Sequence, residues 1–335
     1  MLGKGRSILG HMLAFGSESI EEALQKRIRE AIRLRKLWFN PKVTNAIRVI
    51  NAEGDGIPGL IVDAYDDVLV LQIANSGIEK LKSQIIDILI QELKPKSIFE
   101  KSTSFMRRKE GLEEVRGHIY GNTISEVEVL ENGLKFSVDV LEGQKTGLFL
   151  DQREMRNLIR TISPNKKVLN CFAYTGGFSV AALVGGATHV DSVEISAKCG
   201  ARIEKNLHLN GLGSHTFHAE DVFDYLKQCD WSHDIVILDP PAFVKKRNDV
   251  PKAFRAYKDM NKYCMEKMRP GTLLLSCSCS YHVDEALFQN ILFRAALEAG
   301  KKVRILERHR QAHDHPISIF HPESSYLKSF LLYIN

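Results

Sequence analysis

From residue 164 onward, short apolar runs alternate with stretches of helical periodicity, and that rhythm leaves few folds open. The runs cover 168–172, 189–194, 214–219, 234–238 and 272–276, and helical patterns at 177–183, 197–209 and 252–268 fall between them. Strands this apolar have both faces covered. Alternation with helices therefore calls for an α/β fold with a mostly parallel sheet and helices on both sides. The earlier part reads differently. A helix over 19–37 is expected, with Ser19 as its N-cap and Glu21 and Glu22 near its positive end. Strands follow around 48–51, 59–62 and 68–73, then a helix over 78–92 and strands at 98–100, 126–129 and 136–140. The expected organisation is a strand-like remnant over 1–16, a smaller α+β domain over 17–130 and the parallel-sheet domain over 131–335.

Composition narrows the function classes. At 335 residues, with 44% hydrophobic and 26% charged residues, the chain can bury a large core. It has no run of about 18 apolar residues, so no membrane span is expected. Lys4 and Arg6 ahead of 8–15 imitate a signal peptide, but Gly10 and His11 interrupt the apolar run and no A-x-A site follows. Six cysteines lack both the density of a disulfide scaffold and a matched pair of C-x-x-C motifs. Neither structural zinc nor any other metal is expected, and the compartment is read as a reducing cytoplasm. The net charge of +5 is concentrated early: residues 1–50 hold ten Lys/Arg against four Asp/Glu. Arg27, Arg29, Arg33, Arg35 and Lys36 crowd one helix, either as a solvated face or, if chemistry elsewhere points to RNA, as phosphate contacts.

Chemistry concentrates at the ends of the apolar runs, where open parallel sheets bind ligands. The first run enters Asn170-Cys171-Phe172-Ala173-Tyr174-Thr175-Gly176-Gly177, a tight turn whose glycines let a ligand approach the backbone. It is neither G-x-G-x-x-G nor a P-loop. Glu194, followed by Ile195, ends the second run, where a carboxylate can accept from both ribose hydroxyls. Asp221 ends the third and can accept from an adenine amino group. A turn and two acids on successive strand ends outline an adenosine-shaped cleft. Asp239-Pro240-Pro241-Ala242-Phe243 ends the fourth run, the prolines removing two donors and leaving carbonyls and a carboxylate.

The fifth run leads into Ser276-Cys277-Ser278-Cys279-Ser280. A thiol beside a carboxylate suits methylation of cytosine carbon 5. Thiolate addition at carbon 6 makes carbon 5 nucleophilic, and an acid holds ring nitrogen 3. Cys277 and Cys279 share a strand face at a spacing of two, so spacing leaves both open as nucleophile.

Taken together, these residues resemble the bacterial large-subunit rRNA cytosine-5 methyltransferases of the RlmI-like family. The matching motifs are Glu53-Gly54-Asp55-Gly56-Ile57-Pro58-Gly59-Leu60-Ile61-Val62-Asp63, Lys145-Thr146-Gly147-Leu148-Phe149-Leu150-Asp151-Gln152-Arg153, the turn from Asn170, Asp239 to Phe243, and Tyr257-Lys258-Asp259-Met260-Asn261. Ser278-Cys279-Ser280-Tyr281-His282, Asp314-His315-Pro316 and Tyr326-Leu327-Lys328 complete the set. The resemblance implies a Rossmann-like class I fold with seven strands, S-adenosyl-L-methionine as cofactor and 23S rRNA as substrate. It gives Cys279 the nucleophile's role with Asp239 as acid partner, and has Phe149, Asp151 and Gln152 help close the cofactor pocket. It also allows a homodimer. Family members begin with an RNA-binding PUA domain, of which only the last strand, 5–16, has a counterpart here. Two other readings stand beside it. Asp239 to Phe243 is similar to the acid-Pro-Pro-aromatic signature of exocyclic-amine methyltransferases, and the same fold can serve as a noncatalytic RNA binder.

Overall fold

The computed structural model describes residues 10–14, 16–243 and 247–335. Its contacts divide the chain into two units, one over 1–151 with 312–324, the other over 152–311 with 325–335.

The first unit holds α1 (Ile20–Trp38), β1 (Ala46–Asn51), β2 (Leu60–Tyr65), β3 (Val68–Ile73), α2 (Ser76–Lys80), α3 (Lys82–Leu93), β4 (Ser97–Ser102), α4 (Phe105–Lys109) and β5 (Val115–Gly121), then the hairpin β6 (Glu126–Glu131) and β7 (Leu134–Asp139). β1 to β5 form one sheet in chain order, antiparallel except for β3 beside β4. α1 starts where Ser19 and Glu22 exchange side-chain and backbone bonds of 3.2 and 2.8 Å, a reciprocal cap that satisfies two otherwise orphaned N–H groups. Its Leu24, Ile28 and Ile32 stripe packs with Ile50, Leu60, Val62 and Leu71 of the sheet. The single helix expected over 78–92 is two helices meeting at Leu81, because Asn75 caps a separate short turn through the Ile78 N–H.

The division falls at 151/152 instead of the expected 130/131. A cut at 130 would split the β6–β7 hairpin, and Leu130 is tied to Asn45 by bonds of 2.6 and 3.0 Å. The strand expected over 1–16 lies mostly outside the described residues, and of those described, 10–14 belong to no strand.

The second unit runs α5 (Arg153–Ile162), β8 (Lys167–Cys171), α6 (Gly177–Val184), β9 (His189–Val193), α7 (Lys198–Leu209), β10 (His215–His218), α8 (Val222–Gln228), β11 (Ile235–Leu238), α9 (Val250–Lys267), β12 (Thr272–Ser278), α10 (Glu285–Glu298), β13 (Val303–His309) and β14 (Lys328–Ile334). Its seven strands lie in the order β10-β9-β8-β11-β12-β14-β13, parallel except for β14, which runs against both neighbours. This is the doubly wound α/β fold expected, and strand order reverses between β8 and β11, the place such sheets bind ligands. One core cluster joins Leu169, Val236, Leu238 and Leu274 of the sheet to Tyr257, Met260 and Cys264 of α9 and Phe288 and Ile291 of α10. No helix among the described residues is long and apolar enough to cross a membrane.

Candidate active site

Strand register puts the expected residues on one rim of the second unit. Cys171 pairs with Val193 and Leu238, Val193 with His218, and Leu238 with Ser276. The next residue out on each strand is Phe172, Glu194, Ala219, Asp239 and Cys277.

The turn after β8 is held in an unusual shape. Phe172 and Tyr174 adopt φ of 61° and 47°, with Gly176 at 78°, so non-glycine residues sit in left-handed conformations that cost energy and need outside support. Support comes from three neighbours. The Glu194 carboxylate accepts from the Tyr174 N–H at 3.1 Å and from the Ser196 N–H at 3.2 Å. Asn206 on α7 donates to the Thr175 carbonyl at 2.9 Å, and the Ala173 N–H bonds the Val193 carbonyl at 3.1 Å. A Cβ on Gly177 would stand 2.9 Å from Arg156 Cδ, so a larger residue there would have to displace the Arg156 side chain of α5.

Two site expectations change once their surroundings are seen. The Asn170 side chain is buried within β8 and donates to Ser179 Oγ at 2.8 Å, continuing a polar chain through Ser192 to His215. It points under the turn, toward α6. Asp221 lies three residues beyond β10, and one of its oxygens caps α8 by accepting from the Phe223 N–H at 2.8 Å. The helix signal for α8 was too short to be read, so the cap looked like a strand end. Ile195, beside Glu194, is 70% exposed.

Asp239, Gln152, Cys277 and Cys279 come together at the ends of β11 and β12. Gln152 donates through Nε2 to Asp239 Oδ1 at 2.9 Å, and it also bonds the Cys277 thiol. Cys277 is fully buried in β12 opposite Ser329. Burial, then the nearby Asp239 charge, drive its thiol well above the ordinary range. Cys277 is therefore held as a neutral thiol, a poor nucleophile. Cys279 lies just past the end of β12, is half-buried, and has its Sγ 3.8 Å from the Pro240 carbonyl. Phe243 leans on Tyr257, ring centres 4.6 Å apart, and packs against the core cluster.

Phe149 and Asp151 belong to the first unit, with Lys145 placed over the Phe149 ring at 4.6 Å and 4.0 Å from the Asp151 carboxylate. The motif around them is anchored by charge. Thr146 donates to Asp63 at 2.6 Å, Asp63 pairs bidentately with Arg48 at 2.7 and 3.0 Å, and Tyr65 accepts from the Leu148 N–H at 3.0 Å. Arg48 also donates its backbone N–H to Asp314, whose other oxygen bonds His315 at 2.8 Å. Arg35, counted in the sequence among the basic residues of α1, is turned inward. It forks onto Asp55 at 2.6 and 2.7 Å and donates to the Arg48 and Asp314 carbonyls. Arg29 pairs with Glu92, which leaves Arg33 and Lys36 as the exposed basic residues toward the end of the helix.

The rim suits an adenosine-bearing sulfonium. Residues that could hold its adenosine are Glu194, whose carboxylate can accept from hydroxyls, the glycine turn, and exposed Ile195 as an apolar flank. Sequence reasoning missed two residues beside Cys279, Lys328 and the Tyr257 hydroxyl. Both lie in motifs shared with the family, but nothing in their spacing reveals that they brace the cysteine turn.

A family model described as S-adenosylmethionine-dependent methyltransferase matches residues 107–327. The ribosomal RNA large subunit methyltransferase I of Pseudoalteromonas translucida is 39% identical over 313 residues, covering 92% of this chain and 79% of that one. Its counterpart in Vibrio vulnificus is 38% identical over 332 residues, covering 96% and 84%. Among solved structures, the methyltransferase candidate SMU.776 complexed with SAH superposes with a TM-score of 0.86 at 26% identity, covering 99% and 87%.

Proposed function

The chain belongs to the family of S-adenosylmethionine-dependent methyltransferases, and from that premise we propose that it makes 5-methylcytosine in 23S rRNA through a covalent adduct on Cys279. The rRNA substrate rests on relatives named ribosomal RNA large subunit methyltransferase I. One observation carries the choice of nucleophile: Cys279 is half-buried on the rim next to the Pro240 carbonyl, whereas Cys277 is sealed in β12.

When bound, S-adenosyl-L-methionine supplies an electrophilic methyl group. Glu194, Ile195 and the 172–177 turn hold it by its adenosine. Asp221 adds its carboxylate at the adenine edge with the oxygen not spent on the α8 cap. The Cys279 thiolate adds to cytosine carbon 6 while Asp239 gives a proton to ring nitrogen 3. The new C–S bond moves electron density to carbon 5, which takes the methyl group. Loss of the carbon 5 proton to a base then expels the thiolate, and ring nitrogen 3 returns its proton to Asp239, which restores the ring. Gln152 fixes the carboxyl's orientation.

The amine-methylating alternative asks Phe243 to stack on the base, but its ring is engaged by Tyr257 and the core. All six cysteines are free, in keeping with a reducing cytoplasm as the compartment we assign. Cys279→Ala tests the reading. With ribosomal RNA and methyl-labelled cofactor, incorporation at cytosine should fall by at least about a thousandfold, a loss typical of removing an essential nucleophile. Amine methylation would survive that substitution, and a noncatalytic binder would show no incorporation even in the parent protein.

A further inference from the structure

Lys328 is the first residue of β14, paired in register with Ser278 of β12, and only 3% exposed. Its Nζ donates to the Ser280 and Tyr326 carbonyls, both at 2.7 Å. Among the described residues no carboxylate forms an ion pair with it. A buried ammonium costs several kcal/mol unless an anion or full hydrogen bonding offsets it. Two neutral carbonyls account for two of its three protons. The Tyr257 hydroxyl meets Ser280 Oγ at 3.0 Å from the α9 side, so the cysteine turn is clasped between α9 and β14. Such a clasp needs only a neutral donor at position 328, which leaves the charge unexplained. The missing counter-ion is the one anion that the turn itself can generate.

We propose that Lys328 is a positioning residue for Cys279, fixing its turn through the Ser280 carbonyl and serving as the buried counter-ion of its thiolate. The idea rests on Cys279 being the nucleophile and adds how that thiol is activated. The titratable and charged groups on elements packed against Lys328 are Cys277 and Cys279 from β12 and its end, Tyr257 from α9, Asp284 and Glu285 at the start of α10, and Arg308 and His309 on β13. Asp284 is committed to capping the Leu287 N–H at 2.7 Å, and Glu285 lies 3.5 Å from Arg308. Burial raises the Tyr257 phenol to about 12, so it stays neutral. Burial draws the lysine down to about 8, while Cys279 first and then Asp284 pull it back up. Below that pH the ammonium is present to support the anion.

Alkylation of Cys279 by iodoacetamide reads its thiolate directly, since Sγ attacks carbon as iodide leaves. Peptide mass spectrometry resolves residue 279 from 277, with Cys279→Ala as the blank. In Lys328→Met the midpoint of the pH profile should rise by a unit or more, so that the rate at pH 7 falls about tenfold. Lys328→Arg should keep the parent midpoint. If Lys328→Met fails to fold, Lys328→Gln carries the same test with a donor still available to Ser280. A neutral variant titrating like the parent, or an arginine variant titrating like glutamine, overturns the proposal. The reciprocal measurement needs no lysine substitution: in Cys279→Ala the Lys328 side-chain NMR titration should move to lower pH, and an unmoved titration overturns it too. Neither readout uses RNA or cofactor, so failure here is distinct from failure of the methylation reading.

Discussion

The loop knot of the first unit and the glycine turn of the second place their polar residues in opposite ways. In the first, full charges are buried and paired: Arg35 forks onto Asp55, and Arg48 onto Asp63. Around them sit Asp314, His315, Thr146 and Tyr65, gathering three distant stretches of chain into one knot. A Cβ on Gly54 would fall 1.9 Å from the Pro316 carbonyl, which shows how tightly those stretches meet. In the second unit, what lies beneath the turn is a chain of amide, hydroxyl and imidazole groups from Asn170 to His215, and the carboxylates Glu194 and Asp239 stand half-buried at the rim. Buried paired charges fix loops; carboxylates at an open rim can meet ligands. Motifs that look equally notable in the sequence therefore do different work.

The sharpest way to break that contrast is to cut one pair. Arg48→Met leaves Asp63 buried without its partner, and we expect a loss of about 3–5 kcal/mol in unfolding free energy by denaturant titration. A loss under 1 kcal/mol would mean that the knot is not what holds these loops. Cys279→Ala, at the rim, should by contrast change stability by no more than about 0.5 kcal/mol.

A smaller effect is expected at the cofactor side. Glu194→Gln keeps an acceptor for the Tyr174 N–H but removes the charge that ribose hydroxyls would meet. Hydrogen bonds to charged groups exceed neutral ones by roughly 1 kcal/mol or more, so KM for S-adenosyl-L-methionine should rise about tenfold with kcat little changed. A fall in kcat at constant KM would instead assign Glu194 to the shape of the turn.

How much of this could be read in advance follows the same division. The parallel sheet was legible because short runs rich in apolar residues, most fully β11 and β12, alternate with helical patterns. β13 and β14 were not, since β13 is largely exposed and β14 packs where helical and strand patterns look alike. Glu194 and Asp239 were legible as charges closing apolar runs. The inward turn of Asn170 was not legible, because a polar residue on a strand does not reveal which face it takes, nor was the capping role of Asp221, because a helix cap and a strand end share residue types. Arg35 was hidden by its basic neighbours: only a partner 20 positions away, Asp55, turns it inward. Cys277 and Cys279 were inseparable by spacing, and burial distinguishes them.

Two histidines, half-buried His215 in the second unit and fully buried His315 in the first, give the gentlest test. Burial, with His189 adding to it, lowers His215 to about 4, and burial followed by the Arg48 charge lowers fully buried His315. Both stay neutral in the folded protein at pH values where the unfolded chain, with an ordinary value near 6.5, takes up a proton. Stability from both is thus fully present above pH 6.5 and declines as pH falls, for His215 through the window from 6.5 to 4. Denaturant midpoints at pH 7.5, 6 and 5 should trace that decline. His215→Asn removes the titrating group and keeps a polar side chain for Ser192 Oγ, so it should flatten the slope with little change at pH 7.5. His315→Asn should flatten it too but also lower stability at pH 7.5, because the Asp314 bond belongs to the paired knot. Equal behaviour of the two variants at pH 7.5 would erase the distinction between the paired-charge knot of the first unit and the neutral polar chain beneath the turn of the second.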